Sequence, residues 1–211
     1  MKKFIVFVIT LMILVESCNY KPAKTDQKDQ LIQKDSTGLQ ISKDSTLLSL
    51  TATILTHLKN KEYSLLADYI DPIEGVRFSP YGYIDTVHNI IFRQNDFAAN
   101  ADSSKQKKIK WGLMDGSGEP ILKKINEYIR TFVYDVDFLQ PEKVAVNKFL
   151  GVGNSLNNLS SIYNTCDFTE SYFSGFDKKY DGMDWRSLRL VFKLKDSTYY
   201  LVGIVHDQWT I

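Results

Sequence analysis

The chain has 211 residues, 44% of them hydrophobic, 24% charged and 13% aromatic, with 11 glycines and 5 prolines. That composition excludes collagen-like, low-complexity and wholly disordered chains. Lys and Arg number 26 against 25 Asp and Glu, and loss of Lys2, Lys3 and Glu16 with a leader makes the signs equal. No basic face, acidic tail or polybasic arm is left to mark a nucleic-acid binder.

Met1-Lys2-Lys3 is a basic start, and Phe4 to Val15 is an apolar run broken only by Thr10. Twelve residues of helix span about 18 Å, short of a bilayer core of about 30 Å. The pattern predicts a secretory signal over residues 1–17. Val15-Glu16-Ser17-Cys18 resembles the lipobox of bacterial lipoproteins, with an aliphatic residue, a small residue and then the cysteine. Glu16 departs from the usual small residue at its position. The resemblance implies that Cys18 carries a diacylglyceryl group with palmitate-type chains, enough for stable anchoring. Asn19 after the cysteine points to the outer membrane where the cell has one. Cys166 then has no intramolecular partner and is expected to act as a small hydrophobe in a strand. Residues 19–44 hold five Lys, four Asp and four Gln with no apolar period, so 18–44 reads as a flexible tether. A coil of that length reaches roughly 28 to 30 Å.

Residues 45–211 read as a single α+β domain. Asp44 or Ser45 caps a predicted helix carrying Leu47, Leu50, Ile54 and Leu58 at helical spacing. A short helix from Glu62 to Ile70 follows, stopped by Asp71-Pro72. Gly75 to Tyr81 reads as extended but irregular, with Pro80 arguing against a central strand. Val87 to Phe92 and Ile109 to Met114 are short strand candidates around a polar stretch, and Asp115-Gly-Ser-Gly118 is a turn. Pro120 suits the first turn of a helix running to Phe132, with Ile121, Ile125, Tyr128 and Phe132 on one face. Three strands close the chain: Cys166 to Phe173, Ser187 to Lys195 and Tyr199 to His206, the last two forming a hairpin. Leu188, Leu190, Phe192 and Leu194 alternate with Arg189, Lys193 and Lys195, which predicts an antiparallel sheet with one wet face and one buried face. N-terminal helices and a central amphipathic helix on such a sheet give an NTF2-like or cystatin-like outline.

Gly75-Val-Arg-Phe-Ser-Pro-Tyr81, Trp111-Gly112 with Asp115-Gly-Ser-Gly-Glu-Pro-Ile121, Gly182-Met-Asp-Trp185 with Ser187-Leu-Arg-Leu-Val-Phe192, and Tyr200 to Ile211 together resemble an uncharacterised family of bacterial lipoprotein or secreted domains. The likeness spans most of Asp71 to Ile211 and brings no activity, ligand or catalytic residue with it.

His57, His88 and His206 are far apart and match no metal-ligand spacing, so neither metal nor cofactor is expected. Asp177, Asp181 and Asp184 lack the spacing and closing glutamate of a calcium loop. His88, His206 and Asp207 are weak catalytic candidates; adjacent strand residues face opposite ways, so His206 and Asp207 pair only where the strand ends. The aromatics chiefly suit a core, but Trp111, Trp185 and Trp209 adjoin polar turns or the chain end. The Lys195–Tyr199 turn must lie opposite the end shared by Asp184, Trp185, His206 and Asp207. A candidate ligand site there comprises Arg77, Asp115, Asp184, Trp185, His206 and Trp209. The expected function is a lipid-anchored envelope protein with a non-catalytic binding or structural domain, its partner a small molecule or an envelope protein. The alternative is an enzyme using a His/Asp pair in a helix-backed sheet pocket.

Overall fold

The computed structural model describes residues 27–101, 106–154 and 156–210, with side chains from residue 42 onward. The signal at 1–17, the lipobox, Cys18 and Asn19 lie outside the described residues. The chain divides into two units, Met1–Gly38 and Leu39–Ile211. The first helix, α1, is Gln27–Asn60. It begins inside the segment that reads as a tether: Gln, Lys and Leu are good helix formers, and apolar spacing marks only the stretch that packs. In that stretch Leu47, Ile54 and Leu58 are buried as the spacing predicts.

The second unit continues with α2 (Tyr63–Ala67), β1 (Val76–Ser79), β2 (Ile91–Phe92), α3 (Gln94–Ala101), β3 (Ile109–Leu113), β4 (Pro120–Lys123) and α4 (Ile125–Phe132). Then come β5 (Lys143–Val146), α5 (Leu159–Ile162), β6 (Asp167–Phe173), β7 (Arg186–Lys195) and β8 (Thr198–Gln208). The architecture is α+β. Strands β3 and β4 form a separate hairpin, and the other six make one sheet in the order β2-β1-β8-β7-β6-β5.

Four expectations are corrected. The sheet is mixed rather than antiparallel, because β1 runs parallel to β8 with Arg77 opposite Gly203 and Phe78 opposite Ile204. Strand β1 is interior, between β2 and β8; Pro80 falls just after its last paired residue, Ser79, so no ladder donor is lost. Pro120 opens a strand instead of a helix: Pro120 pairs with Leu113 and Leu122 with Lys110 across the Asp115–Gly118 turn. Only Ile125 onward is helical, and four residues with two apolar side chains cannot tell the two periods apart. Val87 lies in a turn, and Ile91 and Phe92 alone form a strand.

Both faces of the sheet are covered. On one, Leu188, Leu190, Phe192, Leu201 and Ile204 join Leu47, Ile54, Leu66, Ile125, Tyr128 and Phe132 in the main core. On the other, Phe168, Val191, Val202 and Val205 meet Ile84 and Leu159, with Phe149 and Tyr163 against them. The expected wet face is therefore closed by the segment around 147–163, which carries no strong period of its own. The β7–β8 hairpin turns through Asp196 and Ser197, at φ 46° and 66°, the positive values a two-residue hairpin turn requires. Cys166 sits half-buried one residue before β6, and burial pushes its thiol above the usual range.

Ile125 is 1% exposed and shares the main core with Leu190 and Phe192. Ile125→Ala is expected to cost about 2–5 kcal/mol in urea unfolding. A cost below about 0.5 kcal/mol, as surface changes give, would show that the α4 face does not pack there.

Candidate functional site

Strand register fixes the geometry at the end of the sheet opposite the Asp196-Ser197 turn. Arg186 lies opposite Gln208, Ser187 opposite Asp207 and Leu188 opposite His206. The segment from Asp184 to Leu188 therefore does share one sheet end with His206, Asp207 and Trp209. Alternation then divides these residues between the two faces.

The face away from the main core holds a closed ionic group. Arg189 and Glu170 are fully buried and Asp207 is 4% exposed. Arg189 donates from Nη1 to Asp207 Oδ2 at 2.9 Å and from Nη2 to Glu170 Oε1 at 3.1 Å and the Gly151 carbonyl at 2.9 Å. Glu170 also accepts from Ser187 Oγ at 2.5 Å and from the backbone N–H groups of Leu150 and Gly151, both at 2.9 Å. The Phe149 ring lies 5.2 Å from the guanidinium carbon. Burial raises the Asp207 carboxyl above its ordinary range, against the pull of Arg189. Gly82 and Gly151 let backbone reach this group: a Cβ at Gly82 would collide with the Asp207 carboxylate, and one at Gly151 would sit 2.8 Å from Trp185. Trp185 itself is 6% exposed. Trp185 and Asp207 are thus packed into the domain rim.

On the main-core face His206 is fully buried, its Nε2 3.1 Å from Asp135 Oδ1. Asp135 Oδ2 accepts from Arg186 Nε at 2.7 Å. Burial pushes the Asp135 carboxyl up, but His206 and Arg186 pull it below its usual value. The His/Asp pair expected of a catalytic site thus forms with Asp135, 71 residues away in sequence, and not with Asp207. His206 nonetheless reaches no solvent. His88 is the converse: it is exposed, with Nδ1 2.6 Å from Asp85 Oδ2, and Asp85 also accepts from the Val87 and His88 backbone N–H groups. That is a turn staple.

A cleft adjoins the sheet end. Tyr180, Met183, Asp184, Arg186, Gln208 and Trp209 line an open cleft of about 460 Å³, a volume in the range of ligand sites. Its polar groups are held from behind. Arg186 Nη1 donates to the carbonyls of Asp184 at 3.1 Å and Trp185 at 2.9 Å, in addition to its Asp135 contact. Asp184 Oδ2 accepts from the N–H groups of Phe176 at 3.0 Å and Asp177 at 2.8 Å, bonds that lower its carboxyl against the upward push of burial. Trp209, Tyr180 and Met183 are 40%, 45% and 48% exposed. Asp184 and Trp209 are the two sequence candidates that line this cleft.

The others lie elsewhere. Arg77 donates from Nη1 to the carbonyls of Thr86 at 3.3 Å and Asn89 at 3.1 Å, clamping the turn that precedes β2. Asp115 lines a separate cleft of about 300 Å³ with Tyr81, Tyr83 and Asp85. Trp111 is fully buried. Sequence reasoning missed Asp135, Glu170, Arg186 and Gln208. Glu170 and Arg189 carry no distinct signal, since Arg189 alternates with Lys193 and Lys195 as a solvent-facing residue would and Glu170 shares its strand with Asp167. Asp135 carries none, because it comes from a loop. A larger groove of about 690 Å³ runs beside α1 and the hairpin turn, lined mostly by hydroxyls such as Ser45, Ser49, Thr53 and Thr198. Among the described residues no cluster of His, Cys, Asp or Glu could hold a metal ion. No family model, curated protein or solved structure matches this chain.

Proposed function

We propose that this chain is an exported, lipid-anchored envelope protein whose α+β domain binds a ligand without transforming it, at the cleft around Trp209. One observation carries the binding reading: exposed aromatic and thioether groups surround a guanidinium whose orientation is already fixed by Asp135 and two carbonyls. Preorganised polar groups beside apolar rings reduce the ordering cost of binding. The alternative of a His/Asp enzyme finds less support, since His206 is fully buried and the Asp85 carboxylate is taken up by the backbone N–H groups of its own turn. The lipid anchor rests on the resemblance of residues 1–18 to a lipoprotein leader, and the outer-membrane assignment on Asn19. The likeness to an uncharacterised family of lipoprotein or secreted domains agrees with both. Helices first and the β5–β8 meander last support an NTF2-like or cystatin-like outline as the finer description of the fold.

Two measurements test this. Intact-mass analysis of protein from membranes is expected to give a lipidated chain starting at Cys18, and Cys18→Ala is expected to move it to the soluble fraction; unchanged partitioning refutes the anchor. Thermal-shift screening against amino acids, neutral sugars, aryl acids and short peptides is expected to give at least one stabilising class, with the shift absent in Trp209→Ala. If nothing stabilises the protein, or Trp209→Ala responds equally, the binding reading fails.

A further inference from the structure

We infer that the Trp209 cleft takes an uncharged saccharide, presenting a pyranose face to the aromatic side chains and hydroxyls to Arg186 and Gln208. This rests on the cleft being the binding site and adds the class of ligand.

Charge comes first. The lining carries one acid, Asp184, and one base, Arg186. Both are partly engaged: Asp184 Oδ2 takes two backbone N–H groups while its buried Oδ1 has no partner among the described residues, and Arg186 Nε is held by the Asp135 carboxylate. A ligand anion would meet Asp184 with Asp135 close behind, and a ligand cation would meet a fixed guanidinium. Arg186 is already matched by a carboxylate, and withdrawing either internal charge from its contacts would leave a partly buried ion unmatched. A neutral ligand avoids that cost.

The remaining hydrogen-bonding capacity is of mixed type. Arg186 Nη2 and the Gln208 side-chain amide have no hydrogen bond among the described residues, whereas Arg186 Nη1 is used twice. Together they offer guanidinium and amide donors and one amide acceptor. A hydroxyl both gives and takes a hydrogen bond, so neighbouring hydroxyls match such a set, while a purely accepting or purely donating group uses only part of it.

The apolar contribution is flat. Trp209 and Tyr180 are 40% and 45% exposed and line the cleft with these polar groups, one face of the Tyr180 ring lying under the Lys179 ammonium at 4.6 Å. Rings placed next to polar groups suit a ligand with an apolar C–H face and a polar rim, through burial and weak C–H contacts to the π face. A pyranose ring has both. Met183 supplies an adaptable wall, and about 460 Å³ accommodates a short oligomer end.

The test is calorimetric titration of the purified full chain with maltohexaose, cellohexaose, mannohexaose and xylohexaose, alongside anionic pentagalacturonate and cationic chitopentaosamine. At least one neutral oligomer is expected to bind, and Trp209→Ala is expected to weaken it about tenfold or more. Gln208→Ala should weaken it severalfold, and both charged oligomers should bind at least about tenfold less tightly than the best neutral one, the scale of one interaction worth about 1.4 kcal/mol. A charged oligomer binding as tightly overturns the ligand class. So does the absence of neutral binding when the thermal screen finds Trp209-dependent stabilisation by amino acids, aryl acids or peptides; the binding reading then survives. If no compound in either experiment binds, both fall. Neutral binding that is unaffected by Trp209→Ala but lost in Thr53→Lys moves the sugar to the hydroxyl-lined groove and overturns the assignment to this cleft.

Discussion

Arg189→Met is expected to cost about 3–5 kcal/mol at neutral pH, because it leaves two buried carboxylates without their cation. Arg189 and Glu170 are fully buried, and the guanidinium bridges Glu170 and Asp207 across neighbouring strands. A methionine fills the volume, so the loss is chiefly electrostatic and its pH dependence identifies it. Burial holds the Asp207 carboxyl above its ordinary value even with Arg189 opposing. A group whose folded pKa is raised contributes stability that is fully present below its unfolded pKa of about 3.9 and lost as pH rises through the folded value. Removing Arg189 removes a force that lowers the Asp207 pKa, which widens that window. The variant's deficit is therefore expected to be largest near neutral pH and smaller at an acidic pH, where the raised Asp207 carboxyl regains its proton. Urea unfolding of wild type and variant at both pH values reads this directly. An equal deficit at both would mean that lost packing, not unmatched charge, is the cause.

Trp111→Ala is expected to cost about 3–5 kcal/mol, the range for removing a large buried aromatic. The Trp111 ring is stacked on Tyr128 at 3.9 Å and 7°, and edge-on to Phe78 at 5.4 Å. Its Nε1 donates to the Lys123 carbonyl at 2.9 Å, tying β3 to β4. The indole thus joins the separate hairpin to the main core, and its removal opens a cavity where the rigid rings of Tyr128, Phe78 and Phe92 cannot collapse inward. Trp111→Phe keeps most of the volume and loses the hydrogen bond, so it should cost about 1–2 kcal/mol less than Trp111→Ala. Denaturant unfolding of both variants tests this, and a cost under about 1 kcal/mol for Trp111→Ala would show that the hairpin is not anchored through the indole.

What the sequence by itself determined is local. The alternation of Leu188, Leu190 and Phe192, the turn at Asp196-Ser197, and the packed stretches of α1 and α4 follow from periods of two and 3.6 residues and from turn chemistry within a few residues. From the hairpin alone it also follows that Asp184, Trp185, His206 and Asp207 share one sheet end, because an antiparallel pair allows no other arrangement. Tertiary structure decided everything that depends on which distant segment covers what. Arg189 reads as a solvent-facing residue until the chain around Gly151 crosses that face and supplies a carbonyl to it. Strand alternation turns His206 and Asp207 to opposite faces, but only the fold shows that the carboxylate beside His206 is Asp135, from a loop 71 residues away. The same applies to β1, whose place between β2 and β8 depends on a parallel pairing with the far end of the chain. Periodicity reports the environment of a residue averaged along its own element. A buried charge is matched by partners on other elements, and no local period encodes them.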